Sequence, residues 1–266
     1  MRKNVLLTGI SGYIANHCAV ELLKQGFSVR GSLRDMSKSQ QVIEAIKKEV
    51  NPEGNLEFCE LDLLEDKGWD DAMIGCDYVL HVASPFINIE PKDESIYIKP
   101  AVEGTKRALE AAKKAGVKRV VLTSSIVSML GDANQSMNVN SNTWTNVNAK
   151  NVSAYAKSKT LAEQYAWDFI KSQNDEAPME LVVVNPGPVF GPSLSGNLEG
   201  TSMNMFKQLI TGEMPMIPKA GINMSDVRDI AKIHVLALEN KYASGNRYIV
   251  TTVSYTHLTL PTKRIV

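Results

Sequence analysis

The stretch that decides the fold is "VLLTGISGYIA", residues 5–15. A short apolar run of strand length ends at Thr8. Gly9, Gly12 and Ala15 then follow at the spacing of a strand-to-helix turn. Small residues there let the backbone turn tightly and come close to a pyrophosphate, whose charge sits on the unpaired N–H groups that open the helix. A glycine pattern alone is weak; placed between a buried strand and an amphipathic helix it points to dinucleotide binding.

Working outward, short β-type runs alternate with longer helix-type segments, the pattern of a parallel sheet wound by crossover helices. The runs predict strands at Asn4–Thr8, Ser28–Leu33, Leu56–Leu61, Tyr78–Val82, Val120–Thr123 and Glu180–Val184. Helices fit between them at Tyr13–Gln25, Ser39–Val50, Ile98–Ala115 and Ala154–Lys171. In "RALEAAKKAGVKRVVLTSS" (107–125) the helix stops at Gly116, suited to a left-handed cap, and a β-branched strand follows. After Pro186 the texture shifts to Gly, Pro, Asn and Met. The expected organisation is therefore α/β: a doubly wound parallel sheet of the Rossmann type over 1–190, to which 226–252 partly return. Residues 191–225 then form part of a small C-terminal substrate lobe.

The bulk numbers exclude several classes. With 29 basic and 29 acidic residues the formal net charge is zero, so nothing favours a nucleic-acid or anionic-membrane partner. The cluster Lys113, Lys114, Lys118 and Arg119 reads as a solvated rim. Cys18, Cys59 and Cys76 are few, odd in number and without metal-type spacing, so reduced thiols and no metal are expected. No apolar run approaches the ~20 residues of a spanning helix. The fold begins by residue 3, so no signal peptide is expected, and a cytoplasmic location follows as an expectation.

The end of the second predicted strand, "FSVRGSLRD" (27–35), bears on the cofactor. NAD-preferring proteins usually carry an acidic residue there for the ribose hydroxyls. This register holds Leu33, followed by Arg34, whose guanidinium suits a 2′-phosphate, with Lys38 in reach to assist. The competing reading puts Asp35 on a ribose. Asp62, after the third strand, suits either an adenine edge or a helix N-cap.

"SAYAKSKTLAEQYA" (153–166) puts Tyr155 and Lys159 four residues apart on a predicted helix, on one face. An ammonium there can lower the phenol's pKa and make it a usable acid near neutral pH. The spacing decides little by itself, since about one such pair is expected by chance. Position carries more: "VVLTSS" closes the fifth strand, and open α/β sheets do their chemistry at strand carboxyl ends. Ser124 and Ser125 compete for the hydroxyl that would bind a substrate carbonyl, because consecutive side chains cannot both face it.

These motifs, with "HVASP" (81–85), "VEGT" (102–105), "NPGPVFGP" (185–192) and "DVRDIA" (226–231), occur in the order of the extended short-chain dehydrogenase/reductases. The resemblance is closest to the dihydroflavonol reductase, cinnamoyl-CoA reductase and aldehyde reductase group and spans residue 2 to about 251. It implies a catalytic Ser125, Tyr155 and Lys159. It also implies NADP(H) held by Gly9, Gly12, Tyr13 and Ile14 at the pyrophosphate, and by Arg34 at the 2′-phosphate. Asp62 and Leu63 would lie by the adenine, Ala83 and Ser84 by the ribose and nicotinamide, and Pro186 and Val189 by the carboxamide. The implied reaction is reduction of an aldehyde or ketone by NADPH with tyrosine supplying the proton, in a monomer or homodimer. A nucleotide-sugar epimerase or dehydratase, and a non-catalytic NADP(H)-binding redox sensor, are the alternatives. In "DVRDIA", Asp226 reads as a helix cap or a substrate contact; Trp144 reads as substrate-facing or packed.

The tail differs from what precedes it. "VSYTHLTLPT" (253–262) resembles the translation of a transposon-type sequencing adapter, with "KRIV" continuing it. Genuine sequence would then stop near "ASGNRYIVT" (243–251), leaving the substrate lobe incomplete and the chain poorly soluble and weakly active.

Overall fold

A computed structural model of the chain describes residues 2–85, 93–131, 139–196, 200–213 and 223–252; the tail at 253–266 lies outside the described residues. Seven parallel strands form the main sheet: β1 (Asn4–Leu7), β2 (Ser28–Leu33), β3 (Leu56–Glu60), β4 (Tyr78–His81), β5 (Arg119–Thr123), β6 (Glu180–Pro186) and β9 (Arg247–Val250). Their order is β3-β2-β1-β4-β5-β6-β9. Two short strands, β7 (Val189–Phe190) and β8 (Ser225–Asp226), pair in parallel beside it.

Helices cover both faces, so the central strands read as unbroken apolar runs. Side chains still alternate: Val5 and Leu7 enter one core cluster, Leu6 the other. The first face carries α1 (Tyr13–Lys24), α2 (Ser39–Lys47) and α7 (Val227–Glu239). The second carries α3 (Trp69–Met73), α4 (Ser95–Lys114) and α5 (Ala154–Lys171). A seventh helix, α6 (Thr201–Thr211), follows β7. Leu6, Leu80 and Leu181 are wholly buried, each worth about 1.5–3 kcal/mol against exposure.

Two helix bounds lie three residues from where they were expected. The helix expected from Ile98 begins three residues earlier at Ser95 and carries Pro100 inside it, giving up one backbone hydrogen bond there. The helix expected to reach Val50 ends at Lys47. What matters for the site is topology. The chain winds from β1 outward to β2 and β3, then crosses back to β4 on the other side. That reversal opens a crevice above the carboxyl ends of β1 and β4.

Candidate active site

The turn after β1 is held from two sides. Gly9 has φ 67° and its N–H donates to Ser32 Oγ at 3.0 Å. A Cβ on Gly9 would lie 3.0 Å from the Cβ of Ala83, so only glycine brings the backbone this near β4's end. Gly12 caps α1 with no side-chain acceptor, and the first turn holds no acidic residue. The opening amides of α1 thus await an anion, and a pyrophosphate fits that demand. Tyr13 and Ile14 offer it main chain only. The Tyr13 hydroxyl donates to Gly191 O at 2.8 Å, and burial lifts its pKa to about 12. Ile14 packs into the core. One turn on, His17 Nε2 meets Pro192 O at 2.8 Å, which makes that nitrogen the protonated one.

At the end of β2, Leu33 is buried, whereas Arg34 and Lys38 are exposed. Asp35 Oδ1 accepts from Ser37 N at 3.0 Å and Ser37 Oγ at 2.7 Å, bonds that hold its carboxyl below the usual range. This cap engages one oxygen of the carboxylate that the alternative reading puts on a ribose. Asp62 is not a helix N-cap either. Its Oδ1 accepts from Leu64 N at 2.8 Å in a turn well before α3, which starts from Gly68. Leu63 packs on α4, where a Cβ at Gly104 would come within 2.5 Å of it.

The ends of β1, β4 and β5 meet at the crevice. Thr8 Oγ1 accepts from Val82 N and Ala83 N, both at 3.0 Å, and its own proton goes to His81 Nδ1 at 3.0 Å. His81 is buried, and burial followed by the charge of Lys159 drives its pKa down to about 3. Ala83, Ser84, Thr123, Ser124 and Lys159 line one small cavity.

The two serines separate. Ser124 Oγ donates to Glu163 Oε2 at 2.6 Å, whereas the Ser125 hydroxyl lies near enough to the Tyr155 phenol to draw its pKa down. Ser125 also accepts from Val127 N at 3.4 Å, capping the 3₁₀ turn Ile126–Met129. Tyr155 is half-buried near the start of α5, which Ser153 caps, and its ring meets the edge of Tyr97 at 6.1 Å. Lys159 is buried one turn on; its Nζ donates to Thr123 O at 3.2 Å. Burial lowers the Lys159 pKa to about 8, against a raising influence from Glu163. The expected acidification of Tyr155 by Lys159 is corrected here. Burial raises the phenol's pKa, and the influence pulling it back down is the Ser125 hydroxyl.

Pro186 ends β6 and pairs with Val250; Val189 is buried against Val227 and Ile230. Asp226 caps α7 by accepting from Arg228 N at 2.8 Å, the capping reading of that motif. Trp144 lies 3.7 Å beneath the Arg247 guanidinium and is a packing residue. Sequence reasoning missed Glu163 and Arg247, a buried ion pair at 2.5 Å beside the serines. An acid four residues after Lys159 on one helix face was the available signal. Among the described residues, no group of His, Cys, Asp and Glu could hold a metal, and no helix is long and apolar enough to cross a membrane.

The parallel sheet, the glycine turn at its reversal and the Ser–Tyr–Lys group beside it define an extended short-chain dehydrogenase/reductase. More particularly, the chain belongs to the NAD dependent epimerase/dehydratase family, whose sequence pattern matches residues 5–251. Cinnamoyl-CoA reductase CAD2 of Medicago truncatula is 36% identical over 257 residues, 94% of this chain and 77% of that protein. NADPH-dependent methylglyoxal reductase GRE2 of Saccharomyces cerevisiae is 33% identical over 277 residues, 95% of this chain and 79% of the relative. The crystal structure of yeast methylglyoxal/isovaleraldehyde reductase Gre2 complexed with NADPH superposes with a TM-score of 0.78 at 30% identity. That match covers 93% of this chain and 78% of the other.

Proposed function

We propose that the chain is an NADPH-dependent reductase of an aldehyde or ketone, with Tyr155 as the proton donor. The observation that carries this reading is the convergence at the crevice end of β5 of Ser125, Tyr155 and, one helical turn on, Lys159, whose Nζ donates to Thr123 O at 3.2 Å. The reductase relatives support the reaction class, and the NADPH bound to yeast Gre2 supports the cofactor.

NADPH, when bound, supplies the hydride. The main chain of Gly9, Gly12, Tyr13 and Ile14 would hold its pyrophosphate, and Arg34 with Lys38 its 2′-phosphate. Asp62 and Leu63 would border the adenine, Ala83 and Ser84 the ribose, and Pro186 and Val189 the carboxamide. Residues 191–225 would supply part of the substrate lobe. The substrate oxygen takes hydrogen bonds from Ser125 and Tyr155, both aimed at the charge that develops on it. The Tyr155 O–H bond then breaks and its proton passes to that oxygen, leaving an alcohol. A phenol whose pKa burial has raised keeps its proton at neutral pH, as a donor must. Lys159 would hold a ribose hydroxyl of the bound nucleotide.

Tyr155→Phe tests this. Turnover of an aldehyde panel, followed by NADPH absorbance, should fall at least about 100-fold, while NADPH affinity by fluorescence titration stays within about threefold. Undiminished turnover would remove Tyr155 from the reaction; a sensor of NADP(H) would show no turnover to lose.

A further inference from the structure

Glu163 is wholly buried on α5, two turns beyond Tyr155, and the reaction above has no use for it. Its Oε2 accepts from Ser124 Oγ and Ser128 Oγ, both at 2.6 Å, and from Asn185 Nδ2 at 2.9 Å. Its Oε1 accepts from Arg247 Nε at 2.5 Å and Trp167 Nε1 at 3.4 Å. A carboxylate so far from water is tolerated only with such partners. Arg247 reaches further: Nη1 donates to Ser141 O at 3.0 Å and Thr143 O at 2.7 Å. Just beyond, Thr145 N donates to Ser128 O at 2.9 Å, and Thr145 Oγ1 donates to Val127 O at 2.6 Å. The turn that carries Ser125 is therefore held on one side by Glu163 and on another by the segment Arg247 grips.

We propose that the Glu163–Arg247 pair is the positioning element of the site, fixing the Ser125 turn and residues 141–145 against α5 so that Ser125 keeps its place beside Tyr155. The logic is alternation along an extended chain. Ser125 is extended, so anchoring Ser124 on Glu163 obliges the Ser125 side chain to point the other way. Arg247 supplies the counter-charge that lets the anchor exist, and its planar fork joins α5, the 126–129 turn and residues 141–143. The consequence for turnover rests on the reading of the function given above; the structural content does not.

Glu163→Gln in the whole chain is the test, read by hydrogen exchange and by kinetics. Exchange in peptides covering 124–131 and 141–147 should quicken at least about tenfold, with 4–15 unchanged. The kcat should drop at least about tenfold while KM for NADPH stays within about threefold, since a small misplacement near the reacting atoms is costly. Arg247→Lys keeps the charge but not the fork and should fall between wild type and Glu163→Gln on both measures. Unchanged exchange in both peptides, or faster exchange with kcat intact, overturns the proposal. If Glu163→Gln fails to fold, Arg247→Lys decides by the same two readings. A wild-type chain without carbonyl turnover, or an active Tyr155→Phe, would refute the functional reading instead, and the exchange pattern would still judge the pair.

Discussion

Lys159 carries its charge where burial opposes it, and its pKa of about 8 marks the conflict. The groups facing it are the Thr123 carbonyl from β5, neutral His81 from β4, and Glu163 and Tyr155 on its own helix. Because the pKa is lowered, the ammonium persists below about 8 and is lost above it. We therefore expect kcat/KM for NADPH, which reports the free enzyme, to be level below neutrality and to fall about tenfold per pH unit above 8. A flat profile through pH 9.5, measured under constant ionic strength, would show that this amine's charge is not needed. The same depression costs stability at neutral pH: the unfolded lysine titrates near 10.5, so the cost fades as pH rises from about 8 to 10.5.

At the scale of elements, the joint between β1 and α1 is the most constrained. Gly9→Ala puts a Cβ at φ 67° and against Ala83, so either the turn or the end of β4 must shift. NADPH should bind at least about tenfold more weakly, with a loss of about 1–2 kcal/mol in thermal unfolding. An alanine variant with wild-type affinity would mean the close approach is dispensable. This joint was legible in the sequence because its cause is local: small residues between a strand and a helix. So was α5, whose bounds match the expectation at both ends, Ala154 and Lys171. The start of α4 was not legible, because Pro100 argues locally for a later start and packing against α5 prevails. Nor were β7 and β8, two residues each, whose pairing joins Val189 to Ser225 across a stretch of chain no periodicity spans. The choice between Ser124 and Ser125 turned on Glu163, and the fate of Trp144 on Arg247; both depend on contacts distant in sequence.

Across the whole molecule, two buried histidines tie opposite faces of the sheet to strand ends. His81 faces Thr8, and His234 of α7 accepts from Thr123 while donating from Nδ1 to Ile230 O. Burial lowers their pKa values to about 3 and about 4 against 6.5. The unfolded chain therefore binds protons that the folded one refuses. The stability these neutral rings contribute is present above pH 6.5 and drains away as pH falls toward 4 and then 3. Thermal unfolding by circular dichroism should show Tm dropping steadily from pH 7 to 4.5, and His234→Gln should flatten part of that slope. An identical slope in the variant would assign the acid sensitivity to other groups.

The distance along the chain between Glu163 and Arg247 also orders events at the ribosome. The arginine is made 84 residues after the carboxylate it neutralises, a delay of several seconds at ordinary synthesis rates. Until then Glu163 has Ser124, Ser128 and Asn185 as polar partners and no cation to balance it. The counter-charge for that buried acid therefore comes with β9, the last strand of the sheet to be made.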